Sequence, residues 1–328
     1  MYPNRMGFAV MLSLILMGCG ESTTSVNSVA PGSVRNVSPS VNAKTIRVSL
    51  IMKTLTNPFF VEMEKGARKA QQESGVELQV LTASQETSIE QQVQIVENQI
   101  EAKVDAIVIA PGDSQRLISV LKKAQDAGIK VVNIDNRLLP TEMEKVGMKP
   151  VPFISVDNEK AAYMSAKYLA DQISLPTDVA IIEGIRNADN SNQRKHGAER
   201  AFKENRKLRL VAMETANWKI DEAYNIAGHV LTEHPKLGAV FCANDMMALG
   251  FIKYLQETKR SNVLVGGFDA LEDAKVAVHH GLLQVTVDQQ AAQQGYVGVM
   301  TALKLLKGES VPQEVLVDAR LVTAKDLK

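Results

Sequence analysis

The chain has 328 residues, enough for two domains, and its 45% hydrophobic and 23% charged residues are typical of an ordinary globular protein. Its 37 acidic and 37 basic residues give a formal net charge of zero. This balance, together with the lack of a long basic run, argues against a protein that binds nucleic acid through clustered lysine and arginine.

The amino terminus has the pattern of an export signal. Arg5 precedes the apolar stretch 7–18, which is too short to span a bilayer comfortably. Residues 16–19 (Leu-Met-Gly-Cys) resemble a bacterial lipobox, in which the cysteine is lipidated and the preceding peptide is removed. We therefore predict a lipoprotein signal peptide at residues 1–19 with the lipid on Cys19; a plain secretion signal is the alternative. The exported protein would lie in the periplasm or on the outer cell surface, held to a membrane by its lipid.

The next segment, residues 20–43, is rich in serine, asparagine and valine and has no period, which predicts a flexible tether. The remaining cysteine, Cys242, lies in an apolar stretch and is predicted to be a small core residue, so no internal disulfide is expected. The scattered histidines lack metal-ligand spacing, and the glycine-rich phosphate-binding motifs are missing. We therefore expect neither a metal nor a cofactor.

From residue 45 onward, short apolar strands alternate with amphipathic helices. The predicted strands are residues 46–52, 77–82, 106–110, 130–134, 152–156, 179–184, 208–214, 238–243, 263–268 and 282–287. This alternation indicates an α/β protein with parallel sheets and helices on both faces. Because about ten strands exceed what one open sheet of this length carries, we predict two doubly wound lobes. Their boundary is expected near residues 147–158, where prolines interrupt the pattern and Asp157 can cap the following helix.

Polar and aromatic side chains follow the carboxyl ends of these strands, which is where open α/β sheets bind ligands. They are Lys53, Asn57, Phe59, Phe60, Asp135, Asn136, Arg194, Trp218, Asn244, Asp269 and Gln289. Carboxylate, carboxamide and guanidinium groups can each hold two neighbouring hydroxyl groups, and aromatic rings can cover the C–H faces of a sugar ring. The set predicts a site for a sugar or small polyol, with the aromatic rings exposed to receive it.

Each of these side chains also has a purely structural interpretation. The alternatives are packing by Phe59, Phe60 and Trp218, helix N-capping by Asp135, Asn244 and Asp269, and a surface salt bridge by Arg194. Taken singly, each residue leaves both interpretations open. Their shared position at one edge of both sheets favours ligand binding.

Five segments together resemble the ribose-type periplasmic sugar-binding proteins, the cluster B, type I solute-binding proteins of ABC importers. They are "LTNPFF", "IAPGDS", "VVNIDN", "AVFCANDMMALG" and "GGFDALEDAKVAV". The resemblance runs from residue 43 to the carboxyl end of the chain. It implies two lobes joined by a three-segment hinge, with residues 44–155 and 290–318 in the amino-terminal lobe. Residues 156–289 and 319–328 would form the carboxyl-terminal lobe.

The resemblance also implies a role for each candidate residue. Asn57 and Phe60 would contact the sugar from the first lobe, with Phe59 stacking on it, and Asp135 would bind a pair of hydroxyl groups. From the second lobe, Arg194 would reach in, Trp218 would stack on the opposite face, and Asn244, Asp269 and Gln289 would complete the hydrogen bonds. Asn136 and Lys53 are further candidates at positions where this chain departs from ribose binders, so the identity of the sugar stays open.

The function implied is a monomeric substrate-binding lipoprotein of an ABC importer. It would capture a monosaccharide or related polyol between its lobes and deliver it to a permease. A periplasmic sensor that presents sugar to a chemoreceptor or histidine kinase is the alternative. A transcription regulator of the lactose-repressor type would carry an amino-terminal helix-turn-helix. This chain has an export signal there instead, so we do not expect that function. A glycosidase would need Asp135 and Asp269 at a suitable separation, and we expect no enzymatic activity.

Overall fold

The computed structural model describes residues 45–327. The predicted signal peptide, its Cys19 and the tether lie outside the described residues. Within residues 45–327 there are twelve strands and ten helices.

The strands are β1 (Arg47–Met52), β2 (Glu77–Thr82), β3 (Ala106–Ile109), β4 (Lys130–Ile134), β5 (Phe153–Ser155), β6 (Thr177–Glu183), β7 (Leu208–Thr215), β8 (Leu237–Cys242), β9 (Leu264–Gly266), β10 (Thr286–Asp288), β11 (Glu314–Leu316) and β12 (Arg320–Val322). The helices are α1 (Pro58–Ser74), α2 (Ile89–Glu101), α3 (Ile118–Asp126), α4 (Pro140–Lys145), α5 (Asn158–Asp171), α6 (Asp189–Glu204), α7 (Ile220–Glu233), α8 (Asp245–Glu257), α9 (Glu272–His279) and α10 (Ala291–Leu306).

Two parallel sheets organise the chain. The first has the strand order β11-β5-β4-β3-β1-β2, and the second has the order β7-β6-β8-β9. We call each sheet with its helices a lobe, the first lobe and the second lobe. Strands β1 and β8 are buried along almost their whole length because helices cover both faces of each sheet. The prediction of two doubly wound lobes is therefore confirmed.

The chain passes between the two sheets three times. It leaves the first sheet after β5, returns between β10 and α10, and leaves again between β11 and β12. Strands β10 and β12 pair with each other in an antiparallel ladder, which the sequence pattern did not predict. The exact lobe boundaries, residues 44–155 with 290–318 and residues 156–289 with 319–328, stay a prediction.

Helix α10 belongs to the first lobe because it packs on α1 and on strands β3 and β4. Close contact between α1 and α10 requires glycine at their crossing. A Cβ atom on Gly66 would lie 1.7 Å from the carbonyl oxygen of Ala292, and one on Gly295 would lie 2.1 Å from that of Met63. A late segment of the chain is thus built into the core of the first lobe.

Several local predictions can be compared with the structure directly. Asp157 caps α5 through a hydrogen bond from the backbone nitrogen of Lys160, as predicted. Cys242 is a fully buried core residue, also as predicted, and its burial raises the pKa of its thiol well above the usual value. Across residues 45–327, every helix is too short or too polar to cross a membrane.

Candidate functional site

The carboxyl ends of both sheets face a cavity that contains about 230 Å³ of space free of protein atoms. Its walls are Lys53, Asn57, Phe59, Phe60, Glu86, Asp135, Asn190, Arg194, Trp218, Asn244, Asp269 and Gln289.

Ten of the eleven candidate residues predicted from the sequence line the cavity; the exception is Asn136. The side-chain amide nitrogen of Asn136 donates to the carbonyl oxygen of Pro111, and its oxygen accepts from Ser114 and from the backbone nitrogen of Asn190. Asp135, the preceding residue, has a left-handed φ of 63°. The side chains of Asp135 and Asn136 therefore point in different directions. The prediction of Asn136 as a ligand contact is therefore not supported by its position.

The aromatic residues are not exposed, contrary to the prediction. Phe59, Phe60 and Trp218 are each at least 96% buried, because the lobes enclose them from both sides. Phe59 and Phe60 meet edge to face with their ring centroids 5.0 Å apart. Trp218 lies against Gly184, where a Cβ atom would be 2.1 Å from the indole ring. The three rings thus form apolar walls contributed by both lobes.

Capping and cavity lining coincide at two positions. Asn57 caps α1 by accepting a hydrogen bond from the backbone nitrogen of Phe59, and Asn244 caps α8 by accepting one from that of Met247. The capping interpretation is wrong for Asp135 and Asp269, because the N-cap residues of the helices that follow them are Leu139 and Leu271. The side-chain nitrogen of Asn57, which takes no part in the cap, donates to Oε1 of Glu86 at 2.9 Å.

Lys53 is a buried cation of the first lobe. Its Nζ lies 2.8 Å from Oδ2 of Asp135 and 3.9 Å from Oε2 of Glu86. The same atom is 5.5 Å from the centroid of the Phe60 ring, within the range of a cation–π contact. Because two carboxyl groups already face this ammonium group, its charge is compensated within the protein.

Arg194 is the corresponding cation of the second lobe. It is buried, not part of a surface salt bridge, so that alternative is wrong. Its guanidinium donates to Asn158 at 2.9 Å, to the carbonyl oxygen of Ala243 at 2.9 Å and to Gln289 at 3.3 Å. It also lies 3.7 Å from Asp269. Burial lowers the pKa of Arg194, and the Asp269 charge opposes this effect.

Two carboxyl groups of the cavity, Glu86 and Asp269, are shifted toward their neutral forms. Burial raises the pKa of Glu86, while Lys53 and the hydrogen bond from Asn57 oppose the rise. Burial also raises the pKa of Asp269 well above its usual value, against the attraction of Arg194. A carboxyl group that is easily neutralised can donate as well as accept a hydrogen bond, which suits a hydroxyl group.

Backbone strain and unpaired polar atoms concentrate at the same place. Besides Asp135, the cavity residues Trp218 and Asp269 have positive φ angles of 69° and 122°. Within residues 45–327, Nε1 of Trp218 and Oδ1 of Asn190 are buried without a hydrogen-bond partner. Left-handed non-glycine residues cluster at functional sites. Unpaired buried polar groups carry a free-energy cost, which hydrogen bonds to a polar ligand would remove.

Sequence reasoning missed two residues of the cavity, Glu86 and Asn190. Glu86 follows β2, and Asn190 lies in the first turn of α6. Inspecting the loop after every predicted strand, including residues 77–82, would have drawn attention to Glu86. Asn190 stands among several polar residues, and its sequence context carries no distinguishing signal.

Comparisons with known proteins agree with this geometry. The family model described as "Periplasmic binding protein domain" matches residues 48–310. The chain is 39% identical to the D-ribose/D-allose-binding protein of Pseudomonas aeruginosa over 287 residues, 85% of this chain and 89% of that protein. It is 32% identical to the ribose import binding protein of Escherichia coli (strain K12), over 93% of this chain and 99% of that protein.

A solved structure of a sugar-bound protein has the same fold. An ABC transporter periplasmic solute binding protein from Actinobacillus succinogenes, with bound D-allose, superposes with a TM-score of 0.82 at 36% identity. The superposition covers 86% of this chain and 99% of that chain.

Proposed function

Because the chain belongs to the periplasmic binding protein domain family, we propose that it is the substrate-binding component of an ABC importer. It captures a monosaccharide or related polyol between its two lobes and delivers it to a permease. The observation that carries this proposal is the cavity, whose aromatic walls come from both lobes and whose planar polar groups surround the space between them. The function is binding, and no chemical step is involved.

The charges of the cavity favour a neutral ligand. Lys53 faces Asp135 and Glu86, and Arg194 faces Asp269, so each cation of the cavity already has a carboxyl partner within the protein. A sugar acid would bring a further negative charge into this buried space, where an uncompensated charge is costly. We therefore favour a neutral aldose, and D-allose and D-ribose are the first sugars to test because relatives are named for them.

A thermal scan tests the proposed function. At about a hundred times its dissociation constant, a bound sugar is expected to stabilise the fold by about 2.7 kcal/mol and so raise the Tm. D-Ribose, D-allose, D-glucose, myo-inositol and D-galacturonate form a suitable panel, with D-galacturonate expected to give no shift. If none of the neutral compounds raises the Tm, the proposed ligand class is wrong.

Two variants test whether the shift in Tm depends on the cavity. Trp218→Ala removes an aromatic wall of the cavity, so the shift with the same sugar should shrink or vanish. Tyr163→Ala removes an aromatic ring of the same lobe that lies on α5 and bonds to Glu204, so the shift should persist.

We also propose that the mature protein is anchored in the periplasm or on the outer cell surface by a lipid on Cys19. The apolar stretch 7–18 and the Leu-Met-Gly-Cys sequence at residues 16–19 support this proposal. Cys19→Ala is expected to prevent lipidation, so the protein should no longer be labelled by a fatty-acid probe or move into a detergent phase. Detergent partitioning that is the same for wild type and variant would mean that no lipid is attached at Cys19.

A further inference from the structure

Helix α6 begins in the second lobe, but side chains of the first lobe satisfy its amino terminus. Its N-cap residue is Ala188, which has no side-chain oxygen to cap the first turn. The backbone nitrogen of Asp189 instead donates to Oγ of Ser114 at 2.9 Å, and that of Asn190 donates to Oδ1 of Asn136 at 3.2 Å. Two of the helix's free N–H groups are therefore capped across the gap between the lobes.

The two capping side chains are held in place by their own lobe. Oγ of Ser114 donates to Oδ1 of Asn136 at 3.3 Å, and Nδ2 of Asn136 donates to the carbonyl oxygen of Pro111 at 3.0 Å. With its NH₂ group bound to Pro111, Asn136 presents its oxygen to α6. Both side chains are at least 98% buried with α6 in place. The bonds to Pro111 and between Ser114 and Asn136 lie within the first lobe and do not depend on α6.

Further hydrogen bonds cross at the same place. The backbone nitrogen of Ser114 donates to the carbonyl oxygen of Asn187 at 3.1 Å. The amide group of Asn190 lies 3.4 Å from Oδ1 of Asp135. We call Ser114 and Asn136, with the amino terminus of α6 that they cap, the lobe latch.

The two capping side chains of the lobe latch lie outside the cavity. The described residues that line the cavity include neither Ser114 nor Asn136. When the lobes separate, the N–H groups of Asp189 and Asn190 must turn to water, and when the lobes close they regain their caps. This exchange of hydrogen-bond partners needs no ligand.

We infer that the lobe latch stabilises the closed state independently of the ligand and so sets the affinity for every sugar by a common factor. This inference rests on the proposed closure of the lobes around a sugar. The apparent dissociation constant equals the intrinsic one divided by the fraction of molecules able to close. Ser114 and Asn136 therefore act as positioning residues, which place α6 and its cavity side chains without touching the sugar.

Calorimetric titration of the full chain with D-ribose and with D-allose tests the inference. Ser114→Ala removes one helix cap and is expected to weaken binding about fivefold. The double variant Ser114→Ala with Asn136→Ala, called the double latch variant, should weaken binding further. The ratio of the two affinities should stay within about twofold of the wild-type ratio. Ser49→Ala is the matched control, because Ser49 is a buried serine of the same lobe that bonds only within it, to Gln99. That variant should bind both sugars as wild type does.

A second measurement needs no sugar. Spin labels on Thr87→Cys and Asp221→Cys report the gap between the lobes, since these exposed positions follow β2 and start α7 on opposite lobes. Without sugar, the double latch variant should shift the distance distribution toward longer distances, and Ser49→Ala should not. Cys242 is buried and should stay unlabelled, and the labelled protein should also carry Cys19→Ala so that no other cysteine reacts.

The outcomes are distinct. A changed affinity ratio would mean that Ser114 or Asn136 contacts the ligand. Unchanged affinities together with unchanged distances would mean that the lobe latch does not stabilise the closed state. If neither sugar binds the wild type but the distances still lengthen in the variant, the latch stands and the choice of sugars is wrong.

Discussion

Replacing Arg194 with methionine is expected to weaken sugar binding about a hundredfold or more, the largest loss from any single substitution in the cavity. Hydrogen bonds to a charged group contribute about 1.5–3 kcal/mol each, and one or two of them account for this factor. Methionine keeps much of the length and apolar volume but removes all the donors. The buried carboxyl group of Asp269 would then lose the cation 3.7 Å away that compensates it.

Because of the location of Arg194, its replacement is expected to affect more than the contact with the sugar. Its guanidinium joins α6 to Asn158 at the start of α5 and to Gln289 just after β10, and both segments adjoin points where the chain passes between the lobes. It also lies 3.8 Å from the ring centroid of Phe268, next to Asp269. One side chain thus ties the cavity to the segments that join the lobes.

Calorimetric titration with the sugar found in the thermal scan measures the effect. Arg200→Met is the control, because Arg200 lies on the same helix but pairs with Glu159 with its side chain 48% exposed. This variant should bind within about threefold of wild type, since exposed ion pairs contribute at most about 1 kcal/mol. Binding by Arg194→Met within tenfold of wild type would mean that the guanidinium does not hold the ligand.

The sequence predicted the location of the site better than its chemistry. In a parallel sheet, loops that are distant along the chain meet at the carboxyl edge, so inspecting that edge brought together Asn57 from β1 and Gln289 from β10. It could not separate neighbours such as Asp135 and Asn136, because that depends on a left-handed φ that only the folded loop imposes. That these residues contact a sugar stays a prediction.

The fold was predictable to a similar extent. The βα alternation gave both parallel sheets because buried strands and amphipathic helices leave strong local patterns. Strands β11 and β12 left no such pattern, since each has three residues and their pairing partners, β5 and β10, are distant in sequence or antiparallel. Burial of the aromatic rings also depends on closure of one lobe on the other, which no local pattern encodes.

The free energy of unfolding of the sugar-free protein is expected to fall as the pH rises from about 4 to 7, and Asp245 is one cause. This residue begins α8 and is completely buried. Its carboxylate accepts hydrogen bonds from the backbone nitrogen of Leu271 at 2.9 Å and from Oγ1 of Thr286 at 2.7 Å. It thereby holds the loop that carries Asp269.

Burial raises the pKa of Asp245 from 3.8 to about 7, although its hydrogen bonds oppose the rise. Between these two values the folded protein keeps a proton that the unfolded chain releases. Stability is therefore highest below the unfolded pKa and falls as the pH rises through the folded pKa, by about 4 kcal/mol at most. Burial raises the pKa of Glu86 and Asp269 as well, and both contribute in the same direction.

Asp245→Asn should remove the part of this pH dependence that Asp245 contributes, because the amide has a similar shape but does not titrate. Urea unfolding from pH 4.5 to 8 without sugar measures this contribution. The stability of the variant relative to wild type should rise up to about pH 7 and then level off. Asp126→Asn, at an exposed position on α3, should reproduce the wild-type profile. An equal pH slope in wild type and Asp245→Asn would place the proton on another group. A smaller slope in Asp245→Asn would show that the buried carboxyl holding the Asp269 loop is neutral in acid and charged near neutral pH.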